Sequence, residues 1–140
     1  MSTDIMALVE DYKKSKAEFS DKAQEAMRTA FKDFFDVNPN IEMIAWTQYT
    51  PFFNDGDPCV FRVRDMYFSL VGEEIDLGRH LDDSGMHSEY DDKVDEAKTF
   101  KKFVQEIGII PDEIFLDAFG DHVRVAATRK GFDTEEYDHD

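Results

Sequence analysis

From Asp4 to Phe35 the apolar residues Ile5, Leu8, Val9, Tyr12, Phe19, Ala23, Ala26, Met27, Ala30, Phe31 and Phe34 recur mostly at steps of three and four, with no Gly or Pro among them. That is the period of an amphipathic helix, and it predicts one long helix over residues 1–36. Lys14, Glu18, Asp21, Glu25, Arg28 and Lys32 take the opposite face. Ser15 and Lys16 fall where the stripe after Tyr12 calls for an apolar residue, so a bend or break has its natural place there. Asn38-Pro39 ends the segment, because proline disfavours helical geometry at the residue before it.

The period then changes to two. In IEMIAWTQYT, Ile44, Trp46 and Gln48 alternate with Met43, Ala45, Thr47 and Tyr49, and neither set is strongly charged. Such a stretch reads as an interior strand covered on both sides. PFFNDGDPC follows, then CVFRV, which alternates Cys59, Phe61 and Val63 against Val60 and Arg62. The alternation slips at Arg64-Asp65 and resumes in MYFSLV, which calls for a bulge or turn between two strands because a period of two cannot absorb an inserted residue. The central strands span residues 41–71.

Residues 72–87, GEEIDLGRHLDDSGMH, hold no sustained period and read as an exposed acidic loop with room to move. Ser88 followed by Asp91 resembles a capping box, and Tyr90, Val94, Ala97, Phe100, Val104 and Ile107 continue it as a second helix ending at Gly108. PDEIFLDAF adds a short helix within residues 88–119. HVRVAATR, the turn Arg129-Lys130-Gly131 and FDTEEYD form a terminal hairpin over residues 121–138. The expected fold is α+β in a single domain, 1–140: a long N-terminal helix and a second helix packed on an antiparallel sheet with a C-terminal hairpin.

Charge changes this picture from architecture to partners. The net charge is −16, distributed as −2 over residues 1–36, −9 over 37–100 and −5 over 101–140. Between Glu73 and Glu96 ten carboxylates face only Arg79 and Lys93, and the tail EEYDHD adds four more. Such a field repels phosphate backbones and acidic membranes and attracts basic surfaces, which argues against direct nucleic-acid or membrane binding. No apolar run approaches the roughly 20 residues that cross a bilayer. The first residues, MSTDIMALVEDYKK, carry acids where a secretory signal carries bases, and a cytoplasmic location is expected. The single cysteine, Cys59, has no intramolecular disulfide partner.

The candidate chemistry is weighed against plainer readings. Asn54, Asp55 and Asp57 supply oxygens for a hard cation, but Gly56 sits between the two Asp and Pro58 follows, so the spacing departs from a calcium loop and suits a strand connection. His80, Asp82, Asp83, His87 and Glu89, and again Asp138, His139 and Asp140, could supply metal ligands without any recognised spacing, and no metal or cofactor is expected. Cys59 would need His122 beside it to act as a nucleophile, and otherwise suits a small core position. No phosphate loop, nucleophile elbow or paired helical His is present, so no catalytic residue is assigned.

The blocks WTQYTPFFNDGDPCVFRV and FGDHVRVAATRKGFDTEEYDHD resemble small acidic proteins of tailed bacteriophages, over well under half of the chain. The resemblance carries over no catalytic residues. It implies a viral accessory protein in the host bacterial cytoplasm, where such proteins bind and inhibit host factors. Combined with the acid cluster, the expected function is non-enzymatic binding of a basic protein surface, including that of a host nucleic-acid-binding protein, by mimicry of nucleic acid. Glu73, Glu74, Asp82, Asp83, Asp91, Asp92, Asp95 and Glu96 are the expected contact residues, the last four from a turn and a half of one helix, with Phe52 and Phe53 as apolar anchors. A small metal-dependent enzyme and a virion assembly component are the alternatives.

Overall fold

The computed structural model describes residues 4–51 and 59–137. Phe52, Phe53, the rest of the 52–58 connection with its possible cation ligands, and the C-terminal Asp138, His139 and Asp140 lie outside the described residues. The fold is α+β, in the order α1 (Ile5–Val37), β1 (Ile41–Tyr49), β2 (Arg62–Val63), β3 (Tyr67–Leu70), α2 (Glu96–Ile107), α3 (Asp112–Phe119), β4 (Val123–Thr128) and β5 (Gly131–Glu136). Among the described residues the sheet is antiparallel, with strand order β2-β1-β4-β5. β2 pairs with Gln48 and Tyr49 of β1, and β3 with the stretch from Ile41 to Ala45. The phase slip at Arg64-Asp65 is therefore the break between two short strands that share one partner.

The two faces of β1 receive different cover. Ile44, Trp46 and Gln48 are fully buried on one face, where Val125 and Ala127 of β4 stand opposite Trp46 and Ile44. Met27, Phe31, Phe34 and Phe35 of α1, Phe100 and Phe103 of α2, and Phe115 of α3 complete this main core. On the other face Ala45 is buried beneath Leu81 and Met86, with Met43, Tyr67, Ile75 and Leu77 around them. The two-sided cover expected of β1 thus comes from helices on one side and from the 72–87 segment on the other.

Polar groups lock this arrangement where helix ends meet the sheet. Gln48 donates through Nε2 to the carbonyls of Phe115 (2.9 Å) and Gly120 (2.8 Å), and its Oε1 accepts from Trp46 Nε1 at 2.9 Å. It adds a second bond to the Phe115 carbonyl inside α3 and satisfies the Gly120 carbonyl just past the helix end, which the helix itself cannot pair. Arg129, in the β4–β5 turn, donates to the carbonyls of Phe35, Asn38 and Ile41, which ties the hairpin to the end of α1. A guanidinium at a helix C-terminus also meets the negative end of the helix dipole.

Several expectations are corrected. α1 runs without a break through Ser15 and Lys16, since every intervening residue is a competent helix former. Of CVFRV only Arg62–Val63 is strand, and Cys59 is exposed rather than a core residue. The second helix begins at Glu96, not at Ser88. Ser88 Oγ accepts from the Tyr90 N–H in a local turn, and the Asp91 carboxylate is occupied by His87 and by the Lys93 N–H. With both side chains committed, neither is left to cap a helix. The 72–87 segment is not a loose connection: it contains a 3₁₀ turn at Leu81–Asp83, and its two limbs meet where the Asp76 N–H donates to the Ser84 carbonyl at 3.0 Å. Gly85, at φ +95°, permits this approach, because a Cβ there would lie 3.1 Å from the Glu74 carbonyl oxygen.

Candidate functional site

The acidic segment is held to the sheet by its own apolar residues and by one histidine. His87 exchanges backbone hydrogen bonds with Phe68 (2.7 and 2.9 Å), so the segment adds a bridge to the outer edge of β3 and covers it. Alternation at this edge sends Met86 beneath the sheet against Ala45 and turns the His87 ring toward Phe68, with ring centroids 5.3 Å apart. His87 Nδ1 lies 2.8 Å from Asp91 Oδ2, and Nε2 lies 2.8 Å from Glu73 Oε2 and 3.0 Å from Oε1. Glu73 Oε1 also accepts the Leu70 N–H at the end of β3.

Both ring nitrogens face acceptors, so both contacts are hydrogen bonds only when the ring is the doubly protonated imidazolium. Burial opposes that charge, but the bonds to Asp91 and Glu73 outweigh it and hold the His87 pKa above its ordinary 6.5. Asp91 is correspondingly lowered, first by its bond to His87 and then by the Lys93 N–H. The linkage has a definite sign. His87's contribution to stability is complete below 6.5, where the unfolded imidazole is also protonated, and is lost as pH rises through the raised folded value. Asp91's contribution is present above its ordinary 3.8 and is lost as pH falls through its lowered folded value. The clamp is therefore tightest between these limits. Thermal melting should show a component of stability that falls as pH rises above 6.5, and His87→Gln should flatten that slope. An NMR titration placing the His87 pKa at or below 6.5 would remove this account.

Four of the expected acidic contact residues border two separate hollows, and Glu73, Glu74, Asp83 and Glu96 line neither. Asp82 joins Asp65 at a cleft of about 330 Å³ on the open part of the second sheet face, walled by Tyr49, Tyr67 and Tyr137 and bordered by Arg64 and His80. Tyr67's hydroxyl is held above its ordinary pKa, first by burial and then by the charges of Asp65 and Asp82. The Arg64 guanidinium lies 4.5 Å from the centre of the Tyr49 ring, so one face of that ring already holds the chain's own cation. The second place is a hollow of about 300 Å³ bordered by Glu89, Asp91, Asp92 and Asp95, where Lys98 and Lys101 supply opposing charge.

Glu74, Asp82, Asp83, Asp92 and Asp95 are exposed, whereas Asp91 and Glu96 are half-buried. Glu96 Oε2 is shut off from solvent with no hydrogen-bond partner among the described residues. Asp91, Asp92, Asp95 and Glu96 do not project from a turn and a half of helix: the first two lie in turns before α2, Asp95 stands at its N-terminal boundary and Glu96 opens it. His80 borders the tyrosine cleft and His87 is engaged by Glu73 and Asp91, so the proposed His80-to-Glu89 ligand set is not assembled. Among the described residues no group of three or more His, Cys, Asp or Glu is placed to hold a metal ion. No helix among them is long and apolar enough to cross a membrane.

Sequence reasoning missed the tyrosine wall and the histidine clamp. Alternation along β1 does place Thr47 and Tyr49 on the face opposite Trp46, which was the available signal for the first. The second had none, because it joins a bridge residue on the edge of β3 to two residues in irregular backbone. Comparison with protein-family models, with curated proteins and with solved structures finds no match to this chain.

Proposed function

We propose that the protein is a non-enzymatic binding protein whose acidic segment receives a basic surface of a protein partner. The observation that supports this most directly is the cleft where Asp65 and Asp82 bring negative charge to a wall of three tyrosine rings. A lysine or arginine side chain gains there a carboxylate partner and an aromatic face together. Glu74, Asp83, Asp92 and Asp95 add exposed negative charge elsewhere on the acidic stretch, and among the described residues none of these four, nor Asp82, is in an ion pair. A folded layer presents these charges in fixed places, so less ordering entropy opposes binding than a free acidic tail would incur. With the phage resemblance of the sequence blocks, the reading extends to a host nucleic-acid-binding protein whose basic groove is occupied in place of nucleic acid.

The test is capture from bacterial lysate on the immobilised chain at about 50 mM and about 300 mM salt, beside a variant carrying Glu74→Gln, Asp82→Asn, Asp83→Asn, Asp92→Asn and Asp95→Asn. A basic protein retained at low salt should be released at high salt, and the variant should bind it at least about tenfold more weakly. Retention that ignores both salt and the substitutions removes the proposal.

A further inference from the structure

We infer that the N-terminal arm of α1 is a self-association surface, pairing antiparallel with the same arm of a second copy of this chain. Residues 4–19 are all exposed, and burial along α1 begins only at Ser20. The exposed part nevertheless carries an apolar stripe: Ile5, Tyr12 and Phe19 are seven residues apart and 72%, 65% and 57% exposed, with Leu8 and Val9 filling the first interval. Exposed large apolar side chains along one side of a projecting helix, interrupted only by Ser15 and Lys16, mark an interaction surface rather than scattered surface hydrophobicity.

Charge selects the occupant. Asp4, Glu10, Asp11, Glu18 and Asp21 are balanced by Lys13, Lys14, Lys16 and Lys22, which leaves residues 4–22 at −1 out of the chain's −16. A basic partner has no electrostatic reason to prefer this arm over the acidic body. A second copy is repelled by that body, and least repelled here.

Charge and side-chain size together select the orientation. The arm is about 24 Å long at 1.5 Å per residue, so an antiparallel pair holds the two acidic bodies at opposite ends, well beyond the Debye length of about 8 Å at physiological salt. A parallel pair would bring them together at one end. The stripe positions 5, 8, 12, 16 and 19 are also symmetric about Tyr12. An antiparallel pair centred there places Ile5 against the partner's Phe19, and Leu8 with Val9 against the partner's Lys16 with Ser15. Large side chains then meet a small one and a lysine stem, whose ammonium reaches the edge. A parallel pair would set lysine against lysine in the seam. Lys16 reaches Glu113 of α3 at 3.6 Å with both side chains about half exposed, a surface pair that yields at little cost.

Two arms of this length make a contact below the roughly 1,200 Å² of standard interfaces, so the dimer should be reversible. Sedimentation equilibrium of the full chain from about 5 to about 500 µM should show monomer and dimer exchanging. The double variant Leu8→Asp, Tyr12→Asp should stay monomeric with unchanged melting, since both positions are exposed. In a Cys59→Ser background, a mixture of Ile5→Cys and Phe19→Cys chains should form the mixed disulfide, while each alone forms little. A chain monomeric throughout the range, a dimer indifferent to the double variant, or Ile5→Cys cross-linking to itself as readily as the mixture does would overturn the inference. So would a chain that stays monomeric in buffer but cosediments with phosphatidylcholine vesicles.

Discussion

Phe31→Ala should lower stability by about 3–5 kcal/mol, a large share of the roughly 5–15 kcal/mol that holds a domain of this kind together. The Phe31 ring lies 5.5 Å from Trp46, 5.0 Å from Phe103 and 5.2 Å from Phe132, centre to centre, and so joins α1 to α2 and to the strands β1 and β5. Removing it leaves a cavity bounded by three elements, each fixed by its own hydrogen bonds, and collapse can fill little of it. Urea unfolding followed by the fluorescence of Trp46, the chain's sole tryptophan, provides the measurement. The midpoint should fall with an unchanged slope. A loss under about 1 kcal/mol would show that the three elements are not packed through this ring.

Gln48→Leu should cost about 3 kcal/mol although it replaces a polar residue in a fully buried position by an apolar one. The substitution strands the Trp46 indole N–H and removes the donor to the Gly120 carbonyl, while Phe115 keeps its helical bond, and each buried group left unpaired costs about 1–3 kcal/mol. Gln48→Glu supplies a sharper readout. A carboxylate facing two carbonyl oxygens cannot donate, so the introduced acid must bind a proton to be tolerated, and its folded pKa rises above the unfolded value of about 4.3. The variant should then be most stable below about pH 4 and lose stability as pH rises through the raised value. A Gln48→Glu chain whose stability in urea is the same at about pH 4 and about pH 7 would show that the site admits water.

The stripe of α1 shows how far a period can be read. The three-and-four spacing is the same at Ile5, Leu8 and Tyr12 as at Met27, Phe31 and Phe34, yet the first set is exposed and the second buried. Periodicity reports which side of a helix is apolar. Whether anything packs against that side depends on strands and helices placed many residues away. The acidic segment illustrates the converse: its apolar residues Ile75, Leu77, Leu81 and Met86 have no period, because they reach Ala45 from turns rather than from one regular element.

Local chemistry by itself determined that residues near 5–37 are helical, that 41–49 form an interior strand, that 112–119 form a short helix, and that the chain closes as a hairpin. Each of these rests on a repeat or a breaker within a few residues: a helical period with no Gly or Pro inside it, strict alternation, Pro111 before a helix, Gly131 after a two-residue turn. The acidity was likewise plain from composition. Only the tertiary structure decided that Asp91 serves His87 instead of a helix cap, that Asp82 stands with Asp65 beneath three tyrosines, and that the N-terminal arm stands clear of the core. The physical reason is common to all three. A hydrogen bond, a field or a buried face is a relation between groups that the fold brings within a few ångströms, and no local period records which distant groups those are.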